Sequence, residues 1–249
     1  MTTAIAEHHS GKTADSTRTN WVRFVLPLIA ISLLIGAIGI VGYQYLSEEV
    51  RRETHRTLAV IAEQKRQQIE DSIAKTRIDA ELYFSRHSPL ESLFAQWLAG
   101  DRRDAAILLR MQDRMAEVAR VRGWAGLTVF DARALPVFAV GEAGAGVPAA
   151  LIEDILRQPR IELVDLYRDA DGRAHFGMLA PIGAVGSAPL GVAYLSWRAD
   201  QSLYPLVESW PVPTQTAETY LVRRDGDGVR FLTPLRHRQA AALTLTQPL

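Results

Sequence analysis

The sequence lacks cysteine, and it has no excess of either charge. Without cysteine, the 249 residues cannot form a disulfide framework, a thiolate metal site or a cysteine nucleophile. The 28 basic and 28 acidic residues cancel, whereas a nucleic-acid-binding protein normally has a basic excess or a basic face. We therefore expect no nucleic-acid partner.

Short motifs that mark common enzyme and cofactor sites are also missing. The sequence has no G-x-S-x-G, no G-x-x-x-x-G-K-[ST], no G-x-G-x-x-G after a strand and no H-E-x-x-H. The Asp-Gly segments at 169–172 and 225–228 faintly resemble calcium loops, but no glutamate follows at the required spacing. We interpret both segments as hairpin turns and predict no metal, no cofactor and no enzyme activity in this chain.

Only one long apolar run is present, and it lies near the N-terminus. Residues 24–46 carry no charge, and as a helix they would extend about 34 Å, enough to cross a bilayer core. A cleaved signal peptide is the competing interpretation, but its apolar region would be shorter and a small-residue cleavage site would follow. We predict a disordered tail over 1–20 and a transmembrane helix over 21–46.

Charge does not decide which end of this helix is cytoplasmic. Three basic residues precede the apolar run and three follow it: Lys12, Arg18 and Arg23, then Arg51, Arg52 and Arg56. The positive-inside rule therefore gives a tie.

The segment after the apolar run has the pattern of a long helix. Residues 47–86 include neither proline nor glycine, and their apolar residues recur at helical spacing among charges of both signs. We predict a mostly solvated stalk helix over 47–87, continuous with the membrane helix. Lys65 and Gln68 interrupt a strict heptad, so a homodimer through this helix would not be a regular coiled coil.

Beyond the stalk, the pattern changes from helices to short strands. Ser88, Pro89 and Glu91 supply the cap, the first-turn proline and the capping-box acid of a helix, and a second helix runs to Gly123. Seven short strands follow, with two Asp-Gly hairpin turns and two interposed helices. This order predicts an α+β fold: a transmembrane helix that continues into a stalk helix, then an antiparallel sheet with helices on one face.

Aromatic and charged residues on the middle strands form the candidate ligand site. The candidate residues are Phe138, Tyr167, Arg168, Asp169, His175, Phe176, Met178, Tyr194 and Trp197. Because side chains alternate along strands, we predict that four of them line one face: Tyr167, Phe176, Met178 and Tyr194. Polar aromatic groups with an arginine and an aspartate at the rim suit a small polar ligand. The alternative is that these are core aromatic residues beside a solvated turn.

Four segments resemble the extracytoplasmic double-Cache (PAS-like) sensor domains of bacterial membrane receptors. The first strand pair of that family is similar to LTVFDARALPVFAVGE (127–142), and its later strands are similar to VDLYRDADGRAHFGMLAPI (164–182). The exit strand and helix are similar to PLGVAYLSWRADQSL (189–203), and the opening of a second lobe is similar to TAETYLVRRDGDGVRFLTPLRHRQAAALTL (216–245). The resemblance covers most of the chain after residue 47.

The resemblance implies a PAS-like sheet in a membrane-distal lobe over 88–210 and a partial membrane-proximal lobe over 211–249. It also implies a single-pass protein of the inner membrane, with a cytoplasmic tail and a periplasmic body. Such a sensor binds a small ligand and passes a conformational signal to a kinase, a cyclase or a similar output. A longer parent could therefore be a histidine kinase of a two-component system or a diguanylate cyclase.

The resemblance does not identify the ligand. The amino-acid-binding subfamily has an arginine followed closely by Trp-Tyr and a later aspartate, and that arrangement is absent here. The alternative hypothesis is a single-span membrane anchor that docks a periplasmic partner protein and binds no ligand.

Overall fold

The structure is a computed structural model that describes residues 16–85, 87–142, 147–183, 188–210 and 217–248. By its internal contacts the chain divides into two compact units, Met1–Ile61 and Ala62–Leu249. Of the predicted tail over 1–20, residues 1–15 lie outside the described residues. Residues 16–20 are helical rather than disordered, because extending an existing helix requires no new nucleus.

In its described part, the first unit is the N-terminal portion of helix α1 (Ser16–Phe84). The large apolar side chains between Val25 and Leu46 are exposed, which is unfavourable in water and favourable in lipid. Among the described residues, α1 is the one helix that is long and apolar enough to cross a membrane. The predicted span over 21–46 lies within this helix.

The second unit is built around a five-stranded antiparallel sheet. Its strands are β1 (Gly126–Asp131), β2 (Pro136–Gly141), β3 (Glu162–Arg168), β4 (Ala174–Ile182) and β5 (Gly191–Arg198). They lie in the order β2-β1-β5-β4-β3. Every residue of β1 is buried, and so is nearly every residue of β5, so both faces of the sheet are covered.

One face of the sheet is covered by the C-terminal part of α1 together with α2 (Pro89–Ala99) and α3 (Ala105–Arg122). Ser88 caps α2 as predicted, accepting a hydrogen bond from the Glu91 N–H. Phe84 of α1 is fully buried in the core of this layer. The last turns of the predicted stalk are therefore solvated on one side only, because their other side is packed in the domain.

The opposite face is covered by helix α4 (Ala149–Arg157). Ile152 and Ile155 of α4 pack against Leu179 of β4 and Val192 of β5. The prediction of helices on one face only is therefore wrong, because the central strands carry apolar side chains on both sides and both must be buried. The α+β class, an antiparallel sheet flanked by helices after a long apolar helix, is confirmed.

The C-terminal region contains helix α5 (Leu203–Glu208) and a three-stranded antiparallel sheet of β6 (Val222–Asp225), β7 (Gly228–Phe231) and β8 (Thr246–Pro248). The hairpin of β6 and β7 is as predicted, and its turn places Gly226 at a φ of 61°, which glycine adopts without steric strain. We did not predict β8, because three residues are too few to show an alternating pattern.

Candidate ligand site

Eight of the nine predicted site residues are divided between the two faces of the main sheet. Tyr167, His175 and Tyr194 lie on the α4 side with Asp169, whereas Phe138, Phe176, Met178 and Trp197 lie on the side of α1, α2 and α3. The prediction that Tyr167, Phe176, Met178 and Tyr194 share one face is therefore wrong. Register is the reason, since β4 and β5 pair Tyr194 with Leu179 rather than with Met178, and one residue of offset reverses the face.

On the α4 side, a group of polar residues forms what we term the polar cluster: Glu142, Tyr167, Asp169, Arg173, His175 and Tyr194. The hydroxyl oxygens of Tyr167 and Tyr194 are 2.8 Å apart. His175 is buried, and its Nε2 lies 3.0 Å from Asp169 Oδ2 and 3.5 Å from Glu142 Oε2. The hairpin turn positions Asp169, because its Oδ1 accepts hydrogen bonds from the backbone N–H groups of Asp171 and Arg173.

The surroundings of the polar cluster shift the pKa values of its members in opposite directions. Burial acts to raise the pKa of Asp169, but hydrogen bonds from Arg173 and His175 and their charges outweigh it, so the pKa is lowered. Burial, together with the hydroxyl of Tyr167, raises the pKa of Tyr194 above its ordinary value. Asp169 is therefore a carboxylate at neutral pH, and Tyr194 is a neutral phenol.

Most groups of the polar cluster bind one another. Arg173 donates to Glu142 at 2.9 Å and also to Asp171. Tyr194 lies so close over Gly177 that a Cβ atom added there would be 2.3 Å from the tyrosine ring. Among the described residues, no group of three or more His, Asp or Glu is arranged to hold a metal ion. The cluster therefore has the character of a packed polar core that holds the β3–β4 hairpin.

Open space is found on the other face, in a cavity of about 170 Å³ that we term the α1 pocket. Three predicted site residues, Phe176, Met178 and Trp197, line it. The rings of Phe176 and Trp197 are stacked, with centroids 5.8 Å apart and planes at 18°. Ile69 and Ile73 of α1 also line the pocket, as do Leu203 and Leu206 of α5.

Three of the polar side chains that line the α1 pocket are engaged elsewhere, and the fourth is the side chain of Ser72. The Thr76 hydroxyl donates to the Ser72 carbonyl at 2.9 Å, and the Ser202 hydroxyl donates to the Arg198 carbonyl at 2.7 Å. Asp165 is paired with Arg223 of β6. The surface that the pocket presents to an occupant is therefore mainly apolar.

Two of the predicted residues belong to neither site. Phe138 of β2 is 5% exposed and packs in the core beneath α3. Arg168 donates to the Ala242 carbonyl at 2.8 Å and to the Gly172 carbonyl, so it joins the β3–β4 turn to the C-terminal region.

Ile69 and Ile73 of the pocket were not predicted as site residues. Their four-residue spacing was visible in the sequence, but it was interpreted as the stripe of a stalk helix.

No family model matches the chain, and no curated protein matches it. Solved structures with some similarity include the extracellular domain of the histidine kinase vpHK1S-Z8, at 17% identity and a TM-score of 0.41, over 61% of this chain and 58% of that one. A second is the ligand-binding domain of the amino-acid chemoreceptor PctC of Pseudomonas aeruginosa PAO1 in complex with GABA, at 20% identity and a TM-score of 0.41, over 62% and 67%.

A third is the ligand-binding domain of the Pseudomonas fluorescens chemoreceptor CtaA in complex with L-isoleucine, at 13% identity and a TM-score of 0.42, over 73% of this chain and 68% of that one. The chain thus spans less than two thirds of the extracellular domain of vpHK1S-Z8. These proteins are of the class that the sequence resemblance names. Because each identity is below 25% and each TM-score is below 0.5, they carry no argument about the ligand or the mechanism of this chain.

Proposed function

We propose that this chain is the membrane-anchored extracytoplasmic part of a sensor, and that a small ligand binds in the α1 pocket. The observation that carries the proposal is that one wall of the pocket, formed by Ile69 and Ile73, belongs to the helix that also includes the candidate membrane span. An occupant of the pocket would contact that helix directly. The output would be a kinase, a cyclase or a similar domain of a longer protein.

Contacts on either side of the pocket hold α1 in place. On the N-terminal side, Lys65 is buried and its Nζ donates to the Leu206 carbonyl at 2.7 Å and to the Ser209 hydroxyl at 2.6 Å. On the C-terminal side, Ala80 and Phe84 are fully buried. Residues 69–76, which line the pocket, lie between these two fixed points. A ligand that binds one position of this segment better than another shifts the equilibrium by its difference in affinity.

We place the body of the protein in the periplasm and its single span in the inner membrane. The exposed apolar surface of α1 supports the span, and the resemblance to extracytoplasmic sensor domains supports the orientation. We also propose that the chain itself catalyses no reaction, since its most polar group of residues is occupied by its own ion pairs.

Spin-label distances in the full chain, reconstituted in lipid nanodiscs, test the sensor proposal. The chain lacks cysteine, so Ala74→Cys on α1 and Ala139→Cys on β2 give a single labelled pair, and both positions are exposed. A panel of organic acids, amines, sugars, nucleobases and small arenes should include a compound that shifts this distance. The control pair, Ala139→Cys with Glu153→Cys on α4, should not change. An unchanged distance with every compound would contradict the proposal.

We further propose that two copies associate through α1. Ile78 and Leu82 lie one turn apart on this helix and are 64% and 60% exposed, so together they present an apolar surface that a second copy could cover. Oxidation of the Leu82→Cys variant in membranes should give a reducible dimer. The Arg77→Cys variant, whose thiol points away from Ile78 and Leu82, should give little of this reducible dimer. Equal cross-linking of the two variants would argue against this interface.

A further inference from the structure

We infer that the α1 pocket selects a small, uncharged, mainly apolar molecule, about the size of a substituted benzene. This inference rests on one part of the proposed function, namely that the α1 pocket is the ligand site. It goes further because it specifies the chemical class of the ligand, and that class differs from the small polar ligand predicted from the sequence.

The volume of the pocket sets the size of the occupant. A cavity of about 150 Å³ lined by aliphatic and aromatic side chains is known to stay dry and to bind benzene. The α1 pocket, at about 170 Å³, has room for a ring with one or two small substituents.

The lining sets the polarity of the occupant. Of the described residues that line the pocket, Asp165 is the one with an ionisable side chain, and it is already paired with Arg223. The Thr76 and Ser202 hydroxyls donate to backbone carbonyls of their own segments. A zwitterionic amino acid would find no cationic side chain in this lining for its carboxylate, and burying a carboxylate without a partner costs free energy.

The aromatic residues of the pocket favour a ring in particular. Phe176 and Trp197 form a stacked pair in its wall, and Met178 beside them is fully buried. Aromatic pairs add to area burial, and a methionine sulfur contributes favourable contacts with rings. A planar apolar molecule can use both kinds of contact without any polar partner.

Protection of an introduced thiol tests this inference in the full chain in nanodiscs. Ser72→Cys places a thiol at the pocket, and Ala74→Cys places one on the same helix outside its lining. The rate of reaction with N-ethylmaleimide is measured for both variants with toluene, benzylamine or phenylalanine. Toluene at twice its dissociation constant should slow the Ser72→Cys reaction about threefold, because one third of the pockets stay empty. The Ala74→Cys rate corrects for toluene that partitions into the lipid.

The charged probes separate failure of this inference from failure of the sensor proposal. Protection of the Ser72→Cys thiol by benzylamine or phenylalanine, but not by toluene, would overturn the inference and leave the pocket as a ligand site. If toluene slowed the reactions of both variants equally, the slowing would come from toluene in the lipid, and the inference would be overturned. No protection by any probe would also overturn it, and the distance measurement on α1 would then decide the sensor proposal by itself.

Discussion

At the scale of single residues, Asp131 at the end of β1 holds the β1–β2 turn. Its side chain is 1% exposed, and Oδ1 accepts hydrogen bonds from the Arg133 and Leu135 N–H groups at 2.8 and 3.0 Å. Oδ2 accepts a hydrogen bond from the guanidinium of Arg102 at 2.5 Å. Burial acts to raise the pKa of Asp131, but these hydrogen bonds and the Arg102 charge outweigh it and lower the pKa.

We predict that Asp131→Ala lowers the free energy of unfolding by about 1–3 kcal/mol, because the turn loses its acceptor and Arg102 loses its partner. Asp131→Asn should lose less, since its amide oxygen can still accept both backbone hydrogen bonds. Denaturant unfolding of the full chain in nanodiscs, followed by tryptophan fluorescence, measures both. Equal losses would show that the turn hydrogen bonds contribute little.

The polar cluster predicts a pH dependence of stability. The pKa of Asp169 is lower in the folded chain than the ordinary value of about 3.9. Its contribution is therefore complete above about pH 4 and is lost as the pH falls through the folded-state pKa. His175 and Arg173 pair with this carboxylate, and Glu142 pairs with both of them.

We expect Asp169→Asn to reduce the loss of stability on acidification from about pH 5 to pH 3, because the variant has no carboxylate to protonate at this position. Asp113→Asn on the exposed side of α3 is the matched control and should leave the profile unchanged. Thermal unfolding at several pH values gives the comparison. The prediction fails if both variants follow the parent profile.

At the scale of elements, what could be predicted depended on how local the signal was. The start of α2 and the β3–β4 hairpin were predicted because Ser88 and the Asp-Gly turn act within a few residues of themselves. The role of Lys65 could not be predicted, since its partners in and after α5 lie more than 140 residues away in sequence. From sequence, Lys65 only interrupted a heptad; in the fold, it binds the C-terminal end of α5.

Replacing Lys65 by methionine should therefore loosen α5 from α1. The Leu206 carbonyl would keep the hydrogen bond from the Ser209 hydroxyl at 3.1 Å, but the two hydrogen bonds from the Lys65 ammonium would be lost, which corresponds to about 1–3 kcal/mol of unfolding free energy. Lys75→Met, at an exposed position on the same helix, should change little. Denaturant unfolding of the two variants provides the measurement, and equal stability would contradict this role for Lys65.

At the scale of the whole molecule, the fold class was accessible from sequence but the site was not. Periodicity indicates the helices and strands, whereas the division of Tyr194 and Met178 between two faces depends on the register between β4 and β5. Likewise, the pocket depends on a helix far from the sheet in sequence. The central claim is that a molecule bound in the α1 pocket, near Ser72, changes the conformation or dynamics of α1 on the side of the candidate membrane span.

Covalent filling of the pocket tests this central claim most directly, because it requires no knowledge of the ligand. The Ser72→Cys variant of the full chain in nanodiscs is modified with benzyl methanethiosulfonate, and amide hydrogen exchange is measured along residues 47–65 of α1. We predict that the exchange changes in this segment after modification, and that the same modification of Ala74→Cys leaves it unchanged. Identical exchange in the two modified variants would contradict the account.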